Sequence, residues 1–244
     1  MPILLVTLLP AYASGAESSQ FEAEYDVYRK DSRLGTLTRR FTLSPQGAYE
    51  YTSRIEAGGL LGFLTGWKAE ETSRGRLLDG RLEPSFYQDN KPGNKRDYTL
   101  SIEQADHRAV RLDSAEAYSW QPALRTYDKL SYQLQITLDL RSGLSDFQYL
   151  VADKSRVKTY RFERSGLDSV DTPLGRFDGL KLIRSDPDSR KQTTVWVAKQ
   201  LSWHAIKVVY RDKRGVETAA LLRSFSSLPA HPKDSRVTLP EDAQ

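Results

Sequence analysis

The sequence predicts a mainly β protein: a strongly curved antiparallel sheet, a barrel or half-barrel, with one amphipathic helix packed on the concave side. Three observations lead there. Apolar and polar residues alternate with period two in many short runs, turn residues separate those runs at regular spacing, and one segment alone shifts to a period of three and four.

The chain opens on Ile3-Leu4-Leu5-Val6-Thr7-Leu8-Leu9, followed by Pro10 and the small-residue pattern Ala11-Tyr12-Ala13. This has the form of a secretory leader with an A-x-A cleavage site, although no basic segment precedes it. A buried first strand is the alternative. The run is far too short to span a bilayer, and no later segment reaches about 18 apolar residues. The expected organisation is a signal peptide over 1–13, a single β-rich domain over 14–228 and a polar tail over 229–244. The setting this implies is the periplasm.

Phe21-Ala23-Tyr25-Val27 alternates with Glu22-Glu24-Asp26, and Tyr49, Tyr51 and Ile55 share a face opposite Glu50, Thr52, Arg54 and Glu56. Tyr98-Leu100-Ile102, Phe147-Tyr149-Val151 and the pair Tyr160-Phe162 repeat the pattern. Such alternation marks antiparallel strands with one face buried. Between them stand Lys30-Asp31-Ser32, Ser44-Pro45-Gln46-Gly47, Leu78-Asp79-Gly80, Asn90 to Asn94 and Arg211 to Gly215. Each supplies Gly for positive φ, Pro for fixed φ, or Asp or Asn for local side-chain bonds.

From Ala123 to Leu140 the period changes. Leu124, Tyr127, Leu130, Leu134 and Leu138 recur at helical spacing, with Arg125, Asp128, Lys129, Gln133 and Gln135 between them. One amphipathic helix is expected here, entered after Pro122 and stopped by Gly143. Asp128, in its first turn, would favour the positive end of the helix dipole. The apolar stripe must be buried, and the concave face of the sheet is the natural place.

Lys and Arg number 36 against 32 Asp and Glu, and the signs are interspersed, so nucleic acid is not the expected partner. With no cysteine, disulfides, a thiol nucleophile and Cys-ligated zinc are excluded. His107, His204 and His231 are isolated, and His204 reads as an ordinary half-buried histidine. No phosphate-binding glycine loop and no G-x-S-x-G occurs, so neither cofactor nor catalytic residue is assigned.

The segment EAGGLLGFLTGWKAEE, from Glu56 to Glu71, sets Leu60, Leu61, Phe63, Leu64 and Trp67 among Gly58, Gly59, Gly62 and Gly66. Two readings stay open: a buried plug at one end of the barrel, or a mobile apolar rim offered to an acyl chain. The second makes Leu60, Leu61, Phe63, Leu64, Trp67, Tyr127, Leu130 and Leu134 the candidate ligand-binding residues.

Three stretches in combination carry a resemblance: Tyr127 to Gln135, Val151 to Phe162, and Thr172-Pro173-Leu174-Gly175-Arg176-Phe177, followed by Trp196-Val197-Ala198 and a closing hairpin around Arg211 to Gly215. Over roughly Phe21 to Phe225 the chain resembles an exported bacterial family of unknown function catalogued as domain 3108. It departs from the family's pattern at Ala205, where Pro is frequent. In architecture it also resembles periplasmic lipoprotein carriers of the LolA/LolB type. The resemblance implies no activity. The expected function is a non-enzymatic binding or carrier protein for a lipid or a lipoprotein's acyl chain. The alternatives are an envelope interaction module with a solid core, docking an envelope protein on an edge strand or on Trp120 or Trp203, and a hydrolase of envelope polymers using paired carboxylates.

Overall fold

A computed structural model describes residues 19–30, 32–58, 68–91, 97–120, 125–186 and 190–229. The expected leader, the Gly-rich residues 59–67 with Leu60, Leu61, Phe63, Leu64 and Trp67, and residues 230–244 lie outside them. The strands of the first half are β1 (Ser19–Arg29), β2 (Ser32–Leu43), β3 (Ala48–Ala57), β4 (Lys68–Leu78), β5 (Arg81–Asn90), β6 (Tyr98–Glu103), β7 (Arg108–Arg111) and β8 (Ala117–Ser119). Then come β9 (Thr126–Tyr127), helix α1 (Ser131–Arg141), β10 (Phe147–Ala152), β11 (Val157–Thr172), β12 (Gly175–Asp186), β13 (Lys191–Ala198), a 3₁₀ turn at Lys199–Leu201, β14 (His204–Arg211) and β15 (Glu217–Pro229).

All the strands belong to one sheet, ordered β8-β7-β6-β5-β4-β3-β2-β1-β15-β14-β13-β12-β11-β10-β9. Two antiparallel meanders are therefore sewn together along β1 and β15, whose register runs from Ser19↔Pro229 to Arg29↔Thr218. The exception to the antiparallel pattern is β9, which runs parallel to β10. The end strands β8 and β9 do not pair with each other, so the sheet curves without closing. Side chains bridge the gap: the Gln104 amide donates to the carbonyl of Thr126 (2.7 Å), and Tyr118 donates to the carbonyl of Asp153.

The alternation read from the sequence sets the inner face. Phe21, Ala23, Tyr25 and Val27 are buried on β1, Tyr49 and Tyr51 on β3, Tyr98, Leu100 and Ile102 on β6, and Phe147, Tyr149 and Val151 on β10. The hairpins fall at the turn signals. Asp79 and Gly80, with φ of 51° and 74°, join β4 to β5 in the left-handed backbone that matches strand twist.

The helix is shorter than its apolar period suggests. It spans Ser131–Arg141, while Thr126 and Tyr127 form a strand against Leu150 and Val151. Asp128 sets the boundary. Its Oδ1 accepts the backbone N–H of Leu130 (2.7 Å) and Ser131 (2.8 Å), donors that a longer helix would bond internally. At the other end Gly143, with φ of 76°, donates to Leu140 O (3.2 Å), and Leu144 N donates to Asp139 O (2.9 Å). This is the expected glycine stop.

Nor does α1 keep a wet polar face. Ser131, Tyr132, Leu134, Gln135, Ile136, Thr137 and Leu140 are all buried. Gln135 is enclosed because its amide is satisfied: Oε1 accepts from Leu82 N (2.9 Å), and Nε2 donates to Asp139 Oδ1 (2.8 Å) and Gly80 O (3.3 Å). Asp139 in turn accepts from Tyr149 OH (2.8 Å) and Gln133 from Arg39 (2.6 Å), so α1 is tied to β10 and β2 as well as to the β4–β5 turn. Leu130, fully buried, joins the aromatic core of Tyr49, Tyr87, Tyr127, Phe147 and Tyr149 that fills the concave side.

Gly35 shows how closely β2 and β3 approach. A Cβ at that position would lie 1.9 Å from the carbonyl oxygen of Glu56, a backbone atom that cannot step aside. Gly35→Ala is expected to lower the unfolding free energy by about 1–3 kcal/mol or more, the usual range for overpacking. A urea titration would show this as a lower midpoint at unchanged slope; an unchanged midpoint would contradict the close approach.

Candidate functional site

The helix does not cover the whole inner face. Beside its C-terminal half lies an open cleft of about 350 Å³, lined by Ser19, Gln20, Phe21, Phe41, Leu43, Leu77, Leu134, Leu138, Arg141, His204 and Ser227. One wall is the inward row of β1 and β2, where Phe21 and Phe41 stack at 5.6 Å between ring centroids. The other wall is one face of α1, on which Leu134, Leu138 and Arg141 recur at helical spacing. Leu77 closes the side at the end of β4. Phe21, Phe41, Leu43, Leu77, Leu134 and Leu138 make the wall mostly apolar; its polar members are Ser19, Gln20 and Ser227, with Arg141 and His204.

Arg141 and His204 touch. The Arg141 Nη2 lies 3.2 Å from His204 Nε2, and its Nε donates to the Ser202 carbonyl at 3.0 Å. A guanidinium has only donors, so His204 Nε2 accepts and the ring is neutral with its proton on Nδ1. Burial, and then the Arg141 charge, pull the His204 pKa down to about 3. Phe21 and Phe225 pack on the imidazole at 4.4 and 4.8 Å between ring centroids.

Of the candidate residues read from the sequence, Leu134 lines this cleft. Tyr127 and Leu130 are buried in the packed core, Tyr127 edge-on to Tyr149 at 5.6 Å. The anchors of the Gly-rich segment, Ala57 and Lys68, flank its ends; Ala57 pairs with Gly35. Leu43, on the cleft wall, lies about 27 Å further along β2 at the rise of an antiparallel strand. Ala57 and Lys68, the strand residues on either side of the segment, thus stand at the end of the sheet opposite the cleft. Trp120 and Trp203 are half-buried against the main core. The sequence reading missed Phe41, Leu43, Leu77 and Arg141. Arg141 was legible: it continues the Leu134–Leu138 stripe by one turn.

A second polar centre lies deeper. Asp128 is fully buried at the head of α1, where Ser73 donates to its Oδ2 at 2.5 Å and Tyr49 OH stands 3.0 Å from Ser73 Oγ. Burial pushes the Asp128 pKa up to about 6, against the downward pull of its hydrogen bonds to Ser73, Ser131 and Leu130. The polar contacts of Asp128 are all internal, to the first residues of α1 and to Ser73 on β4, so they fasten the head of α1 to the sheet. Among the described residues, no three His, Asp or Glu side chains converge as metal ligands, and no helix is long and apolar enough to cross a membrane.

Residues 24–221 match the family described as "Protein of unknown function (DUF3108)". The chain belongs to the DUF3108 family. This DUF3108 protein also resembles a solved β-barrel-like protein of domain of unknown function DUF1849 from Brucella abortus. The identity is 11%, the alignment covers 86% of this chain and 98% of that one, and the TM-score of 0.57 shows a shared fold. A domain assigned to outer membrane lipoprotein sorting, from Vibrio parahaemolyticus, aligns at 11% identity over 93% of this chain and 89% of that one, with a TM-score of 0.29. A lipoprotein from Parabacteroides distasonis aligns at 11% over 87% and 96%, with a TM-score of 0.36. Neither of these two is close enough to inform fold or function. No curated protein matches at a significant level.

Asp128 and His204 give the DUF3108 protein opposing pH responses. Asp128 has a pKa of about 6 when folded and 3.8 otherwise, so its contribution to stability is full below about pH 4 and lost as pH rises through 6. His204 has a pKa of about 3 when folded and 6.5 otherwise, so its contribution is full above 6.5 and lost as pH falls through 3. Between pH 4 and 6 the slopes oppose, each up to about 1.4 kcal/mol per pH unit. Asp128→Asn removes the first and leaves the second. The variant's unfolding free energy should therefore fall more steeply than the wild type's on acidification from pH 6.5 to 4.5. Parallel curves would mean that Asp128 does not hold its proton in the fold.

Proposed function

We propose that this DUF3108 protein is a non-enzymatic binding or carrier protein of the cell envelope that holds one apolar chain, a lipid or a lipoprotein's acyl chain, in the cleft between α1 and strands β1 and β2. The observation that carries the reading is the apolar wall of Phe21, Phe41, Leu43, Leu77, Leu134 and Leu138 around an open volume of about 350 Å³. That volume lies at the low end of small-molecule sites, about 300–1,000 Å³, which suits one chain better than several. Water against such a wall is unfavourable, by about 25 cal/mol for each Å² of apolar surface. The secretory form of residues 1–13 supports the envelope setting.

One observation favours an interaction module instead. Most of the concave face is filled by the core around Leu130, and Leu167, 72% exposed, stands with Trp203, Lys199, Gln200 and Asp178 around a separate shallow hollow. A partner protein would use that hollow and leave the cleft to water.

The readings separate on one measurement. Delipidated protein titrated with an uncharged fluorescent probe bearing a single alkyl chain should bind it saturably. Leu138→Gln, a half-buried position on the wall, should weaken binding about tenfold or more, because losing one leucine contact is worth about 1.5 kcal/mol or more. Absence of saturable binding by the wild type would remove the carrier reading and leave the interaction module.

A further inference from the structure

We propose that the chain held in the cleft ends in a carboxylate, and that Arg141 is the residue that recognises it. The inference rests on the cleft being a binding site and adds the chemistry of its ligand. A purely apolar ligand needs no cation in the wall, yet the cleft contains one, fixed in place. Among the described residues the hydrogen-bond partners of Arg141 are the Ser202 carbonyl, through Nε, and His204 Nε2, through Nη2. Both are neutral acceptors, so neither cancels the charge. Asp26, Glu22 and Glu50, acids of the neighbouring strands, are engaged by Arg33, Arg40 and Arg74.

The two contacts hold one edge of the guanidinium and leave Nη1 without a protein partner among the described residues. A carboxylate matches the planar fork of an arginine better than any neutral head does. Along α1, Leu134 and Leu138 precede Arg141 on the same face, so an extended chain lying on the leucines meets the guanidinium at its end.

The backbone that holds Arg141 is strained, which an incidental contact does not require. Ser202 and Trp203 both adopt left-handed conformations, with φ of 52° and 65°. That is costly for a bulky residue such as Trp. The strain is offset by hydrogen bonds to the helix: Ser202 O accepts from Arg141, and Trp203 O accepts from Thr137 Oγ1 at 3.2 Å. His204 follows directly on β14, packed by Phe21 and Phe225. Three consecutive residues thus fix the last turns of α1, two of them by gripping Arg141. Arg141 also lies at the negative end of the helix, which favours a cation there before any ligand arrives.

The test uses the uncharged single-chain probe bound to the full chain, displaced by dodecanoate or by dodecan-1-ol. These competitors share a chain length and differ at the head. Dodecanoate should displace the probe at about tenfold lower concentration than the alcohol, the gain of one charge-assisted bidentate contact. In Arg141→Met the preference should vanish while the alcohol competes as before, and Arg141→Lys should retain part of it. Equal competition by acid and alcohol with the wild type would overturn the carboxylate inference and leave the apolar site standing. Failure of the probe to bind at all would overturn both. A parallel loss of acid and alcohol binding in Arg141→Met, with the ratio unchanged, would make Arg141 a structural brace and reject its role in recognition.

Discussion

The constraint on which the rest depends is the cover of a very wide, strongly curved sheet. Its inward row is almost entirely apolar and aromatic, and the sheet does not close on itself. Leaving that row to water would be prohibitive, so something must lie on it. Among the described residues one α-helix lies on it. With the residues of Ser131–Arg141 it is about 17 Å long, whereas a strand such as β2 runs about 40 Å. A cover that short cannot reach everything. The side chains of Tyr49, Tyr87, Phe147 and Tyr149 fill much of what it misses, and the cleft beside Phe21, Phe41 and Leu43 is one part left open.

The two halves of α1 are treated differently, and the difference follows from their surroundings. The N-terminal half is locked by buried polar bonds: Asp128 holds the first N–H groups, Gln135 reaches the β4–β5 turn, and Arg39 grips Gln133. Buried hydrogen bonds of that kind rigidify the elements they join. The C-terminal half is held by Ser202, Trp203 and His204 and, through Asp139, by Tyr149, and presents Leu134 and Leu138 to the cleft. Rigidity at one end and an open apolar face at the other is the arrangement a binding site needs, because the wall stays in place whether or not a ligand is present.

Much of the fold could be read from the sequence because period-two alternation is a direct record of which face is buried. Phe21 to Val27, Tyr49 to Ile55 and Tyr98 to Ile102 behave as that record says. The helix boundary was not legible in the same way. Leu124, Tyr127 and Leu130 keep the helical period, yet Thr126 and Tyr127 pair with β10, because a short strand can satisfy its backbone there while the Asp128 carboxylate competes for the N–H groups of the next turn. Nor does periodicity record the long-range seam of β1 with β15, which pairs residues some two hundred positions apart. The burial of Gln135 was hidden for a related reason: a glutamine reads as solvent-facing until its partners, Gly80 and Leu82, are brought to it by a distant hairpin.

The site was less legible than the fold, and the cause is physical. A run of glycines and large apolar residues announces itself in one dimension, whereas a cleft is made by residues from separate elements that meet only in three. Phe21, Leu77, Leu134 and His204 come from β1, β4, α1 and β14. Each has an ordinary explanation alone: an inward strand residue, a strand end, a helix stripe, a half-buried histidine. What distinguishes the place is that the stripe Leu134–Leu138 ends in a cation rather than a solvated polar residue, and that the cation is held by a neutral histidine and a carbonyl where a carboxylate would ordinarily serve. A helix ending in arginine is common, because the dipole favours it. An arginine fixed beside an apolar hollow by uncharged groups keeps its charge available, and that availability, more than the size of the hollow, argues for a ligand with a negative end.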